Sequence, residues 1–364
     1  MAIGLINDFP DATGAGKYGL ILHDLLAGDL AMEYLYLDAG NLAILRRTGG
    51  SYSTLAALPR IPGLGGFKPW FWLMAKYRLP AYQLCHLLTP NISFIYDRGP
   101  YIVTCHDIAP LFMPISPAER LGRQCLYSGL ARASHLIADS EATKNDIIRA
   151  YRIPSSRITV IPLGVDGRIF RPGDRSEART ALELPQGDSI ILNVAIDMWR
   201  KNLAGAIRAF SRILARRTNA LLVLTSQPKK QTWQSIQRLG LAERVVVKDR
   251  LTEPELARLY RAADVLLFPS FYEGFGLPAL EAMASGCPVV ASNATSLPEV
   301  VGQAGLMREP GDIEGLAESV LELLEDGRLY QRLVDRGLRR ASEFTWERTA
   351  RETATVYKNV MAKA

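Results

Sequence analysis

The chain is short of the features that define several functional classes. No apolar run approaches the ~18–20 residues that a membrane-spanning helix needs. The first residues, MAIGLINDFP, lack a basic n-region and reach Asp8 early, which argues against a secretory signal. Only four cysteines occur, Cys85, Cys105, Cys125 and Cys287, and none forms a CxxC pair. That usage fits a reducing interior and excludes a disulfide frame or a zinc ribbon. No DxD or HExxH occurs, and the histidines other than His106 (His23, His86 and His135) stand apart, so no metal cluster is expected. Acidic residues are nearly missing from one region: between Ala39 and Cys105 there are seven Lys/Arg and one acid, Asp97. The centre of that region, residues 66–88, interleaves Trp, Phe and Leu with Lys68, Lys76 and Arg78. Such a stretch suits a membrane interface, and equally a core helix with a solvated basic edge. It is too short a basic face for nucleic acid.

What is present is alternation. Across 364 residues, short β runs alternate with helical patterns. Strand candidates in the first half are AIGLI, YLYLDA, SFIYD, YIVTCHD, HLIADS and ITVIPLG; in the second they are SIILNVA, LLVLTS, RVVVKD, VLLFPS and PVVAS. Between the first two of the second set, Leu203, Ala206, Ile207, Phe210, Ile213 and Leu214 recur at helical spacing. Thr252 and Glu255 fit a capping box. Repeated βα units predict an α/β fold of two Rossmann-like, doubly wound parallel-sheet domains. Residues 164–188, rich in Gly, Pro and charge, read as the boundary. The expected division is 1–165 and 166–345, with a closing helix, 346–364, packing back on the first domain. Ligands of such sheets bind at the carboxyl ends of strands, and a cleft between the domains is the expected site.

Four places at strand ends carry candidate chemistry. In FYEGFGLPALEAMASGCPVV, Glu273 and Glu281 lie eight apart, but Gly274, Gly276 and Pro278 preclude one continuous helix. Glu273 is expected in a loop and Glu281 on the helix that follows, whose N-terminus favours an anion. Carboxylates flanking an anion site fit a ligand with hydroxyls at both ends and phosphates between, a nucleotide sugar; a turn residue and a surface charge fit the same spacing. Arg200–Lys201–Asn202 follows SIILNVA and opens a helix, as a diphosphate site does and as two solvated cations also do. His106–Asp107 follows YIVTC; the histidine there can donate to a ligand hydroxyl, and strand alternation turns Asp107 away from it. In TGAGKYG, Gly14, Gly16 and Gly19 match GxGxxG, with Asp38 nineteen residues beyond Gly19, which opens an NAD-dependent oxidoreductase as an alternative. The residues NDFPDAT after Ile6 spoil the tight turn that fingerprint needs. The segment then reads as a glycine loop before a helix, able to close over a ligand.

Together these segments resemble the retaining glycosyltransferases of family 4, which have the GT-B fold. GFGLPALEAMASGCPVVAS is similar to the family's E-x7-E signature. The likeness runs on through GAGKYG, HDIAP, ADSEATKNDI, VIPLGVDGRIFRP, WRKNLAGAIRAF, LYRAADVLLFPS, SLPEVVG and FTWERTA. The RKN form and the HD segment look most like the mannosyltransferase-type members that build surface glycans. The resemblance implies that Lys201 and Arg200 bind the donor diphosphate, that Glu281 holds the ribose hydroxyls and that Glu273 faces the donor sugar. It implies that the backbone near Phe275, Gly276 and Leu277 serves sugar and phosphates, and that His106 reaches a donor-sugar hydroxyl from the other domain. Gly14 and Gly16 would line the cleft, and Asp249 and Arg250 the base pocket. Where many members have Gly-Arg, this chain has Val194–Ala195–Ile196, so Arg200 must supply any arginine to the phosphate. The implied reaction is metal-independent, retaining hexosyl transfer, from GDP-mannose or a UDP-sugar, to a glycan or lipid-linked acceptor. The implied location is the cytoplasm or the inner membrane face. A catalytically silent scaffold of the same fold is the remaining class, which the joint presence of Glu273, Glu281 and Lys201 disfavours.

Overall fold

A computed structural model of the chain describes residues 2–11, 13–58 and 68–363. The chain divides into two compact units, Met1–Gly164 with Trp346–Ala364, and Val165–Thr345.

The first unit holds β1 (Ile3–Asn7), β2 (Met32–Asp38), β3 (Ala43–Thr48), β4 (Ser51–Ala57), β5 (Leu84–Leu87), β6 (Tyr101–Cys105), β7 (His135–Ala138) and β8 (Ile158–Val160). Among the described residues they form one sheet in the order β4-β3-β2-β1-β5-β6-β7-β8. It is parallel from β2 to β8, while β3 and β4 add an antiparallel hairpin. The hairpin turns at Gly49 and Gly50, both at positive φ, which a two-residue turn of this hand requires. Its helices are α1 (Gly14–Leu26), α2 (Lys68–Ala75), α3 (Pro117–Leu126) and α4 (Glu141–Tyr151).

Two expectations change here. SFIYD is not a strand: Pro90–Ile95 is a 3-10 helix, and the strand is the preceding LCHL, β5. Pro90 is pre-set for a helical first turn, while β5 is buried along its whole length and so shows no alternation to read. The glycines of GAGKYG do not form a loop before the helix; Gly14, Gly16 and Gly19 lie inside α1, which Thr13 caps by accepting from the Gly16 amide. They permit close packing: a Cβ on Gly16 would fall 2.1 Å from the Pro10 carbonyl oxygen, and one on Gly19 2.4 Å from Leu88. Asp38 holds the β2–β3 turn, accepting from the amides of Gly40 and Asn41.

In the aromatic stretch, Phe71, Trp72 and Ala75 of α2, with Leu79, are buried in this unit's core. Lys76 pairs with Asp97 at 2.6 Å, and Leu73, Tyr77 and Arg78 are exposed. Residues 66 and 67 and the Lys68 side chain lie outside the described residues.

The second unit holds β9 (Ser189–Asn193), β10 (Ala220–Leu224), β11 (Val245–Val247), β12 (Val265–Phe268), β13 (Val289–Ser292) and β14 (Gly305–Arg308). They form a parallel sheet in the order β11-β10-β9-β12-β13-β14. Numbered within the unit, that is 3-2-1-4-5-6, the order of a dinucleotide-binding sheet, whose switch point lies between β9 and β12. Its helices are α5 (Arg175–Ala181), α6 (Leu203–Arg216), α7 (Lys230–Arg238), α8 (Glu253–Ala262), α9 (Leu277–Ala284), α10 (Leu297–Val301), α11 (Ile313–Glu325) and α12 (Gly327–Ala341). The apolar stripe of α6 is buried, and Glu255 accepts from the Thr252 amide and hydroxyl at the start of α8.

The charged boundary segment is more ordered than a linker. Arg179 of α5 is 5% exposed and donates to Asp264 at 2.7 Å and to the carbonyls of Ala262 and Gln186. Arg175 takes the other Asp264 oxygen at 2.9 Å.

The closing helix, α13 (Trp346–Met361), belongs to the first unit, where a chain of buried hydroxyls fixes it. Tyr357 lies 2.7 Å from His86 Nδ1, His86 Nε2 lies 2.7 Å from Thr104, and Thr104 lies 3.1 Å from the Tyr18 hydroxyl. Burial holds His86 neutral, its pKa pushed down to about 3. Among the described residues no helix is long and apolar enough to cross a membrane.

Candidate active site

The switch point of the second sheet brings together the two clusters that the sequence separates by some seventy residues. After β9 the chain makes a 3-10 turn, Trp199–Lys201, and Asn202 adopts a left-handed conformation at φ +50°. Asparagine tolerates that conformation better than most side chains. Here its amide is fully used: Oδ1 accepts from the Gly205 amide to cap α6, and Nδ2 donates to the carbonyls of Pro269 at 2.9 Å and Pro310 at 2.8 Å. The Arg200 carbonyl accepts from the Phe271 amide at 2.8 Å, and Trp199 stacks on Phe271 with ring centres 5.3 Å apart. The RKN turn and the loop after β12 therefore form one rigid ledge.

Glu273 stands on that ledge, in a loop as its spacing predicts, but not as an open carboxylate. It is 5% exposed. Lys201 Nζ donates to both its oxygens, at 2.7 and 2.9 Å, the Ser270 hydroxyl donates at 2.7 Å, and Arg200 Nη1 approaches to 3.3 Å. Its amide donates to Thr295 Oγ1, and the Ser296 hydroxyl donates to the carbonyls of Glu273 and Phe275. Both cations that the sequence suggests for a diphosphate thus surround the acid that it suggests for a sugar. A carboxylate so held fixes the ammonium in space, and a fixed cation stabilises developing charge without reorganising.

Gly276 begins α9 at φ +111°, and a Cβ there would lie 2.7 Å from Leu297 Cδ2. With glycine at the cap, no side chain caps the first amides of α9, and Pro278 sits in its first turn. Phe275 is buried edge-on to Phe344, and Leu277 is half-buried. Glu281 is one turn inside α9, half-buried, and accepts from the Tyr260 hydroxyl at 2.9 Å. Burial, and next the Glu281 carboxylate, push the Tyr260 pKa well above its usual range, so this phenol stays a donor. Asp249 and Arg250 follow β11, Arg250 exposed and at φ +54°. Thus Lys201, Arg200, Glu273, the Phe275–Leu277 turn, Asp249 and Arg250 all lie beyond carboxyl ends of strands of one parallel sheet, β9, β12 and β11. Sequence reasoning missed Tyr260, Ser270, Thr295 and Ser296; the serines and threonine carry only the weak signal of following strands β12 and β13.

In the first unit, His106 follows β6. Its Nδ1 is 2.8 Å from Asp139 Oδ2, an acid at the end of neighbouring β7 that is 2% exposed. Asp107 turns away, as strand alternation predicts, and accepts from the Ala109 amide. Tyr18 packs edge-on against the imidazole, ring centres 4.9 Å apart. Burial alone would lower the His106 pKa, but the Asp139 charge and hydrogen bond outweigh it and hold it above the usual value. Asp139 sits inside ADSEATKNDI, a segment the resemblance includes without assigning this residue. Gly14 and Gly16 lie in α1, where Gly16 serves packing against Pro10.

Known proteins extend this reading. Residues 174–340 match the Glycosyl transferases group 1 family and residues 48–167 match Glycosyltransferase Family 4. The O-antigen chain mannosyltransferase B of Escherichia coli is 31% identical over 288 residues, covering 78% of this chain and 74% of that protein. The chain is a family 4 glycosyltransferase. This glycosyltransferase is also 36% identical over 233 residues to the MMP alpha-(1->4)-mannosyltransferase of Mycolicibacterium hassiacum, covering 63% of this chain and 54% of that one. Its fold is GT-B. A sucrose-phosphate synthase from Thermosynechococcus elongatus superposes over 100% of both chains, with a TM-score of 0.80 at 23% identity.

Proposed function

We propose that this family 4 hexosyltransferase moves mannose, with retention, from GDP-mannose to a glycan or lipid-linked acceptor in surface-glycan synthesis. The observation that carries the donor reading is the Arg200–Lys201 pair held on Glu273 at the switch point of a 3-2-1-4-5-6 sheet. The two mannosyltransferase relatives support mannose as the transferred sugar. In this reading Lys201 and Arg200 neutralise the diphosphate leaving group, aided by the first amides of α9. Glu273 orients Lys201 and meets the donor sugar. Glu281 accepts from the ribose hydroxyls while Tyr260 holds its other oxygen in place. Asp249 and Arg250 frame the base, and His106 donates to a sugar hydroxyl. The departing phosphate helps take the acceptor proton, and no divalent metal takes part.

The test is a thermal-shift panel of GDP-mannose, UDP-glucose and UDP-N-acetylglucosamine, each with and without EDTA, followed by analysis of the transferred sugar. A donor at 100 times its Kd stabilises the native state by about 2.7 kcal/mol. Stabilisation by GDP-mannose, indifferent to EDTA, is expected. Stabilisation only by UDP-sugars overturns the donor assignment, and loss of turnover in EDTA overturns metal independence.

The reading places the protein in the cytoplasm, touching the inner membrane face through the exposed Leu73, Tyr77 and Arg78 of the 66–88 segment. Sedimentation with anionic vesicles should weaken when Lys68, Lys76 and Arg78 are neutralised; unchanged sedimentation would favour a soluble acceptor.

A further inference from the structure

We propose that Asp139 is a positioning residue that makes His106 a fixed hydrogen-bond donor, presenting a proton at Nε2 to an acceptor oxygen of the donor sugar. The proposal rests on the hexosyl-transfer reading of His106, but its geometry is independent of it. Asp139 is 2% exposed and receives one hydrogen bond, from His106; among the described residues its Oδ1 has no partner. His106 Nε2 is buried too, and it has no partner among the described residues. The ring also packs at right angles against Tyr18, ring centres 4.9 Å apart, a contact that restrains it in this arrangement. Tyr18 is itself held by Thr104 of β6, two residues before His106, and through it by His86 and Tyr357.

The proton count follows from burial. A carboxylate this buried with a single hydrogen bond is costly unless its charge is compensated. The titratable groups around the ring are Asp139 just beyond β7, Asp107, which is next in the chain and acts only through its charge, Tyr18 from α1, and His86 from β5 behind Tyr18. His86 is neutral, Tyr18 is a protonated phenol, and Asp107 adds negative charge. Of the charged groups acting on Asp139 among the described residues, His106 is a cation when protonated and Asp107 is an acid, so the compensation falls on His106. The pair is neutral overall only when imidazole and carboxylate share two protons. One lies between Nδ1 and Oδ2; the other is then on Nε2, whichever of the two partners holds the first. A neutral histidine beside an ionised Asp139 would leave a buried negative charge. The Nε2 position therefore offers a donor and takes an acceptor: a hydroxyl, ring or phosphate oxygen, but not an ammonium group. The proton is lost as pH rises through the raised His106 value, so donation is present below that value and fails above it.

The test uses the full chain labelled at its four histidines, with the His106 signal assigned by H106Q. Carbon–proton NMR should show wild-type His106 titrating above the ordinary value of about 6.5, and His106 in D139N titrating at or below it. Wild-type titration at or below 6.5, or identical titration in D139N, overturns the proposal; the first arm needs no variant to fold. In donor turnover, D139N should lose about 10²-fold in kcat and move the alkaline limb to lower pH, while adding nothing in an H106Q background. An equal loss in that background would make Asp139 merely structural and overturn the assignment. Titrations as stated in a chain that turns over no nucleotide sugar would support the pairing while sinking the transfer reading.

Discussion

Lys201 and Glu273 should behave as one energetic unit. Lys201→Met removes a cation that is 12% exposed and donates to both oxygens of a carboxylate that is 5% exposed. Losing one partner of a buried ion pair costs about 3–5 kcal/mol, because the other charge stays behind. Glu273 retains the Ser270 hydroxyl at 2.7 Å and Arg200 at 3.3 Å, and Arg200 can close on the vacated oxygens. That places the expected loss at the lower end, about 3 kcal/mol. For a domain of this size it corresponds to a fall of roughly 6–12 °C in melting temperature. Glu273→Gln should cost a comparable amount, since it leaves the ammonium buried beside an amide. The double variant removes both charges and should cost little more than either single. A coupling of about 1.5 kcal/mol or more in the cycle is expected.

The assay is paired urea and thermal unfolding of the four chains, followed by donor turnover. Turnover should fall about 10²–10³-fold in Lys201→Met, as for the loss of a preorganised group at a developing charge. Additive stability losses would refute the pairing. Wild-type-like turnover in a stably folded Lys201→Met would refute the phosphate role separately.

Further outcomes follow from neighbouring contacts. Glu281→Ala strands the buried Tyr260 hydroxyl, so it should cost about 1–3 kcal/mol in unfolding, and nucleotide affinity should fall about tenfold in calorimetric titration. Tyr260→Phe should restore most of the stability of Glu281→Ala but none of its nucleotide affinity. Gly276→Ala forces a side chain to φ +111° and into Leu297, costing about 1–3 kcal/mol by urea unfolding and weakening donor binding by displacing the start of α9. Arg179→Ala leaves Asp264 with Arg175 and the Ile190 amide and opens the Ala262, Gln186 and Asp188 carbonyls; about 3 kcal/mol of lost stability is expected, with donor affinity in the folded protein unchanged.

What the sequence makes legible depends on whether a feature is encoded locally. Strand ends and helix starts are local, so the loop position of Glu273, the helical position of Glu281 and the Thr252–Glu255 cap can be read from spacing. The strands that escape are those without local contrast. β5 is buried throughout and has no period, and β14 is a half-buried, four-residue strand. The β3–β4 hairpin did carry a signal, the Gly49–Gly50 turn, flanked by runs whose alternation is poor. The glycines of α1 mislead for a related reason: GxGxxG states that the backbone is approached closely, not by what. Here the approaching groups are Pro10, Leu88 and Tyr34 of the protein itself.

Pairing across strands is not local, and there the site departs most from its sequence. Nothing near Glu273 in the chain announces Lys201, seventy-two residues earlier, and nothing near His106 announces Asp139. Both pairs join the carboxyl ends of strands that the sheet order makes neighbours: β9 with β12, and β6 with β7. Once strand order is fixed, the partners follow, since each charged group beyond a strand end meets what lies beyond the next. In both pairs a buried acid is held by a nitrogen that it fixes in place and that can donate. The acids at these strand ends therefore decide where positive charge and protons stand, and the cations and the histidine deliver them. On that argument, replacing either acid by its amide should misplace a donor while leaving Lys201, Arg200 and His106 themselves in the chain.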